Sequence, residues 1–170
     1  SGGLPGNGWD RSTPESWEGA REAGRLVLRR GDGMIQVQAG TAVVVNPQDG
    51  FVGTLPKVLR RSCTMGAEPP PWGIVLFDGS DATAFKNAKV RDGLLQVGTE
   101  MVDRFRDFTL HLEFCVPYMP YARGQGRGNS GVYLQSRYEL QILDSFGLKG
   151  DASECGGLYR YVPPQQNMAF

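Results

Sequence analysis

The sequence contains one histidine, carries no net charge, has no closely spaced cysteine pair and no long apolar run, and each shortage removes a class of function. Eighteen Lys and Arg are balanced by eighteen Asp and Glu, so no net field draws nucleic acid or an acidic bilayer surface, and neither is expected as a partner. No apolar stretch approaches the roughly 20 residues of a membrane helix, so no membrane span is expected. Cys63, Cys115 and Cys155 lie far apart and form no CxxC pair, which argues against a zinc knuckle or a thioredoxin-type site. Their odd number leaves either three thiols or one disulfide and one thiol. The chain opens SGGLPGNGWD, without an initiator Met or a basic-then-apolar targeting region, so the natural N-terminus is expected to lie outside it.

Turn-forming residues are abundant. There are 24 glycines and 11 prolines in 170 residues, about one position in five against roughly one in eight in ordinary soluble proteins. Together with short apolar runs, that composition points to an all-β fold. Residues 1–61 read as a β-rich segment in which RLVL, MIQV and AVVV are strands joined by RRGDG and QAGT. Before them, ESWEGAREAG reads as a short helix interrupted by Gly19 and ended by Gly24. Arg30, Gly31 and Asp32 spell an adhesive tripeptide, but a turn between strands accounts for the same residues. Residues 62–73, SCTMGAEPPPWG, read as a proline-rich linker. In residues 74–170, IVLFDG, KVRDGLLQVG and DFTLHLEFCV follow at strand-and-turn spacing, as in a sandwich or jelly roll.

Gly126, Gly128 and Gly131 match the GxGxxG spacing of dinucleotide loops, yet a strand follows where the helix N-terminus should be, so the stretch reads as a loop at a sheet edge. From Gly128 to Asp144 the sequence GNSGVYLQSRYELQILD alternates. Val132, Leu134, Tyr138, Leu140 and Ile142 are apolar, and Tyr133, Gln135, Arg137, Glu139 and Gln141 are polar, which predicts half-buried strands. The same rule sets His111, Glu113 and Cys115 opposite Leu110, Leu112, Phe114 and Val116. If these strands are neighbours, one polar face carries His111, Glu113, Tyr133, Gln135, Arg137, Glu139 and Gln141. A solvated sheet face needs polar residues and nothing more. This mixture of acids, amides, a base and a phenol also suits a polyhydroxylated ligand. Strand length favours two strands joined at Gln135, Ser136 and Arg137, and Asp144 reads as a turn cap.

The series PPPWGIVLFDG, DFTLHLEF, RGNSGVYLQSRYELQILDSFG and ECGGLYR resembles the 3-keto-disaccharide hydrolase domain family over about Arg61 to Phe170. GGLPGNGWD resembles a segment preceding this domain in some planctomycete-like bacterial members. The resemblance implies a concanavalin-A-like jelly-roll sandwich, incomplete in this chain, with a carbohydrate site on its concave sheet and a periplasmic or extracellular setting. Similar proteins often have Arg at Cys115, Pro at Cys63 and Cys at Ala169, so a disulfide from Cys155 to position 169 is not possible here.

The activity implied is cleavage of glycosides oxidised at sugar C3, by proton removal at C2, elimination of the C1 substituent and hydration. It requires a base, an enolate stabiliser and an acid. Glu139 is the preferred base or metal ligand, with Glu113 and His111 as the other catalytic candidates. Arg127, Asn129, Tyr133, Gln141 and Tyr159 are expected to bind hydroxyls or developing negative charge. A divalent cation is compatible with such oxygen ligands. Two alternatives stand beside this reading: a non-catalytic, lectin-like module, and ordinary glycoside hydrolysis by Glu113 and Glu139, which needs the carboxylates about 5 to 10 Å apart.

Overall fold

The structure is a computed structural model that describes residues 16–46, 48, 50–59 and 61–165. The segment GGLPGNGWD and Ala169 lie outside the described residues. The chain divides into two compact units, Ser62–Tyr121 and the remainder, and the fold is all-β as expected. Every strand pairing is antiparallel, and among the described residues there is no α-helix.

Five strands form a meander in chain order: β1 (Glu18–Glu22), β2 (Arg25–Arg30), β3 (Gly33–Gln38), β4 (Thr41–Asn46) and β5 (Gly50–Pro56). The three expected strands are β2, β3 and β4. The short helix expected across ESWEGAREAG is instead strand β1, paired with β2 from Glu18↔Arg29 to Glu22↔Arg25. Two local causes decide this. Ala23 and Gly24 both have positive φ (48° and 79°), the signature of the two-residue turn that closes a hairpin. Gly19, read in the sequence as a helix breaker, leaves space for Leu28, whose Cδ2 is 2.9 Å from where a Cβ on Gly19 would stand. A similar turn at Ala39 and Gly40 joins β3 to β4. The pairing Arg30↔Gly33 leaves Gly31 and Asp32 as a two-residue loop, so the adhesive-looking tripeptide is a hairpin turn.

In the unit Ser62–Tyr121, β6 (Phe85–Lys86) pairs with β9 (Glu100–Met101), and β7 (Val90–Arg91) pairs with β8 (Leu94–Leu95) across Asp92-Gly93. Asp78 caps its own turn by accepting from the Ser80 and Asp81 backbone N–H groups and from the Ser80 hydroxyl, which lowers its carboxyl pKa to about 2. Neither IVLFDG nor DFTLHLEFCV forms a strand, contrary to the sequence expectation. Alternation selects an extended backbone, but a strand also needs a ladder partner for its N–H and C=O groups. Among the described residues, neither segment has one. Leu110, Leu112 and Phe114 are correspondingly 41, 39 and 51 % exposed.

Candidate functional site

Strands β10 (Asn129–Leu134) and β11 (Tyr138–Leu143) form a hairpin whose register runs from Asn129↔Leu143 to Leu134↔Tyr138. Its connection is Gln135, Ser136 and Arg137, as the strand-length argument predicts. Gln135 and Ser136 both take φ of 54°, and the Arg137 N–H closes the turn on the Leu134 carbonyl at 3.0 Å. Gln135 and Arg137 therefore belong to the turn and not to the polar face. A further segment lines the other side of β11 through the bridge Leu140↔Leu158, with Gln141 N–H bonded to Gly157 O and Tyr159 N–H to Glu139 O, each at 2.9 Å.

Directly opposed residues of an antiparallel pair share a face. Tyr133↔Glu139 and Gly131↔Gln141 are such pairs, and Asn129 follows on the same side. The bridge at Leu158 aligns Tyr159 with Glu139 on the third segment. Asn129, Tyr133, Glu139, Gln141 and Tyr159 are thus assembled by β11 and its two neighbours. The opposite face is less apolar in its environment than alternation suggests. Leu140 is 43 % exposed, whereas Gln141 is 2 % exposed, because the loop before β10 and the segment after β11 close over the end that holds Gln141.

The Tyr133 hydroxyl donates to Glu139 Oε2 at 2.9 Å, and the carboxylate it meets raises the phenol pKa above its ordinary value. The rest of the Glu139 side chain lies across Gly131. A Cβ at Gly131 would overlap Glu139 Oε1 and come within 2.6 Å of its Cγ and 2.8 Å of its Cδ. The carboxylate is therefore laid along the sheet instead of standing off it, and glycine is what permits that.

Beside it, the Gln141 amide sits among four oxygens. One end is 3.1 Å from Asn129 Oδ1 and 3.2 Å from Gln125 Oε1; the other is 3.3 Å from both Glu139 Oε1 and the Ser130 carbonyl. Asn129 Nδ2 is committed to Gln125 O at 2.9 Å, and Gln125 Nε2 to Ser153 O at 2.7 Å, so the Asn129 and Gln125 side-chain oxygens face Gln141. An amide has only one donating end. Its donating end meets the Asn129 and Gln125 side-chain oxygens in one orientation and the Ser130 carbonyl and Glu139 Oε1 in the other.

Gln125 was not legible as a member of this group. It lies in the 3₁₀ turn Gly124–Gly126, just before the glycine spacing that resembles a dinucleotide loop, and it contacts Asn129 and Gln141 only through the fold. Gly131 was likewise visible only as a loop glycine.

Arg127 is held by the structure. Its Nε lies 3.4 Å from Asp144 Oδ2 and it donates to Phe146 O at 3.1 Å, tying the approach to β10 to the turn after β11. Asp144 is the turn cap expected, accepting weakly from Phe146 N–H at 3.4 Å. His111 and Glu113 form a pair of their own in the unit Ser62–Tyr121, with Nε2 3.7 Å from Oε1, and Glu113 also accepts from Gly66 N–H. They share a side, as alternation requires, although they are not on a strand. All three cysteines are free thiols.

The 3-keto-alpha-glucoside-1,2-lyase-like domain family matches residues 72–170, more than half of the chain. The chain belongs to this family. Neither a curated protein nor a solved structure matches it. The match confirms the resemblance seen in the separated motifs, and the all-β architecture agrees with the jelly-roll fold of this carbohydrate-related family. As a family member the chain carries, on one face of the β10–β11 hairpin and the segment beside it, a carboxylate, two phenols and two amides.

For a cation, the donor set at this face provides one carboxylate, Glu139, and otherwise neutral oxygens. Among the described residues no group of three or more His, Cys, Asp or Glu can hold a metal ion. Hard cations are held by carboxylate, carbonyl and water oxygens, and of these Glu139 supplies the one charged ligand at this face. Among the described residues no helix is long and apolar enough to cross a membrane.

Proposed function

We propose that the chain cleaves 3-keto-glycosides by elimination at C1 and C2 followed by hydration, with Glu139 as the base. The observation that carries this reading is the fixed carboxylate: Glu139 is laid over Gly131 and held by Tyr133 on the same face as Asn129, Gln141 and Tyr159, in a chain of the 3-keto-alpha-glucoside lyase-like family.

The C3 ketone acidifies the C2 hydrogen. Glu139 takes that proton, the C2–H electrons pass into the ketone as an enolate, and their return forms the C1=C2 bond and expels the C1 oxygen, which leaves as an alcohol after protonation. Water then adds across C1=C2. Asn129 and Tyr159, held beside Glu139 on the same face, supply amide and phenol groups that suit a hydroxyl-bearing ligand, and the buried Gln141 amide anchors Asn129. Arg127, engaged by Asp144 and Phe146, acts through the loop it ties down. The expected setting is the periplasm or the cell exterior, as is usual for the family.

The test is release of the aglycone from a purified 3-keto-glucoside. Wild-type protein turns it over and Glu139→Gln lowers the rate by at least about 100-fold, the lower range for a general base. An intact 3-keto-glucoside across a panel of divalent metals would refute the reading. Saccharide binding by calorimetry that survives Glu139→Gln, without turnover, would instead assign a lectin-like module. Release from an unoxidised glycoside would assign ordinary hydrolysis.

A further inference from the structure

The five-stranded meander lies outside residues 72–170 of the family match, and its middle strands share one polar face. Register fixes the members: Gln36 stands opposite both Val27 and Val43, and Gln38 opposite Thr41, while period two adds Arg25 beside Val27. Leu26, Leu28, Ile35, Val37 and Val44 take the other face. Between Arg25, Gln36, Gln38, Ala39, Thr41 and Val43 the polar face is hollowed into an open groove of about 290 Å³.

Arg25 enters this groove without a counter-ion. Its cross-strand neighbour is Glu22, but both Glu22 oxygens are committed to Arg29, which donates Nη1 to Oε1 at 2.6 Å and Nη2 to Oε2 at 2.9 Å. Arg25 instead donates Nη1 to Gln36 Oε1 at 3.2 Å, and among the described residues no carboxylate pairs with it. Gln36 Nε2 turns to Met34 Sδ at 3.6 Å, so the amide oxygen faces Arg25 and holds its guanidinium over the sheet. Val27, between the two arginines along β2, is 4 % exposed. A solvated sheet face needs polar residues; it does not need a positioned guanidinium whose natural partner is locked to another.

We propose that this groove binds an acidic sugar, a uronic acid residue, through its carboxylate, as a binding site separate from the Glu139 face. A guanidinium matches a planar carboxylate with two parallel N–H···O bonds. The side chains of Gln38 and Thr41 are directly opposed and exposed, and among the described residues neither has a partner. They offer an amide and a hydroxyl to ring hydroxyls, and Ala39 and Val43 offer apolar surface to the C–H face of the ring. A few convergent polar groups around a small apolar floor suit a small ligand. The site performs no covalent step, and it does not depend on the 3-keto chemistry.

The experiment titrates methyl β-D-glucuronide into the full chain by NMR, with methyl β-D-glucoside, acetate and inorganic phosphate as the other arms. The glucuronide shifts the Gln38 and Thr41 amides and binds at least about tenfold more tightly than the glucoside, the scale of hydrogen bonds to a charged group. Arg25→Gln, checked for an unchanged melting curve, brings the glucuronide to the level of the glucoside. Arg25→Lys restores only part of the difference, because a point charge lacks the guanidinium fork. Thr41→Val weakens the glucuronide and leaves acetate unchanged. Absence of glucuronide binding, equal binding of glucuronide and glucoside, or glucuronide binding that survives Arg25→Gln would overturn the proposal. Acetate or phosphate binding as tightly as the glucuronide would also overturn it and assign a general anion site. Loss of glucuronide binding in Glu139→Gln would place the ligand on the other face and overturn it as well.

Discussion

Gly131 lies diagonally across the β10–β11 ladder from Glu139, and the Glu139 side chain occupies the space that a Cβ on Gly131 would fill. The absence of one methyl group thus sets where the carboxylate sits and brings its Oε2 to the Tyr133 hydroxyl.

Gly131→Ala is expected to separate folding from activity. Gly131 has no positive φ, so alanine suits its backbone, and the atoms it meets belong to a flexible side chain that can swing away. The melting temperature should stay within about 2 °C of wild type, as for a change of about 0.5 kcal/mol. The kcat/KM for a 3-keto-glucoside should fall about 100-fold, the scale of an ångström-sized misplacement of a reacting group. Full activity in a stable variant would show that the position of Glu139 does not matter.

Tyr133 should titrate later than an ordinary tyrosine. The Glu139 carboxylate accepts its hydrogen bond and opposes its ionisation, so its folded pKa lies above the unfolded value near 10. A group raised on folding contributes stability that is fully present below the unfolded pKa and lost as pH rises through the folded one. Tyrosinate absorbance of wild type against Tyr133→Phe identifies its step, and Glu139→Gln should bring that step back toward the ordinary range. Coincident curves for the wild-type and Glu139→Gln proteins would contradict the pairing.

Glu154 is 7 % exposed, and burial pushes its carboxyl pKa up even though it accepts a backbone hydrogen bond from Gly150. The raised value means that its contribution is greatest below the unfolded pKa of about 4.5 and is lost as pH rises through the folded value. Melting curves of wild type and Glu154→Gln should therefore differ in slope. Between pH 4.5 and 7 the wild type should lose stability relative to the variant, and parallel curves over that window would remove the burial argument.

Much of the candidate site could be read from alternation. The placement of Tyr133, Glu139 and Gln141 on one face follows from period two in two strands and a connection that preserves parity, and the ladder obeys it. Local turn chemistry also carried over, as at Asp92-Gly93 and the Gly31-Asp32 loop. What failed was pairing. ESWEGAREAG has the residues of a weak helix, but its fate depended on a partner strand and on Leu28 fitting over Gly19. DFTLHLEFCV alternates as well as β10 does, yet no described residue offers it a ladder, because alternation describes one chain segment and a strand is a relation between two.

The sequence by itself determined the all-β class, the family, the hairpin and the shared face of Tyr133, Glu139 and Gln141, since each depends on local periodicity, turn residues or separated motifs. Only the tertiary structure decided that Glu139 lies over Gly131 against Tyr133, that Gln125 joins Asn129 and Gln141, and that Arg127 is held by Asp144. Those are contacts across strands and loops, fixed by register and by the space each neighbour leaves, and neither quantity is written in any one segment.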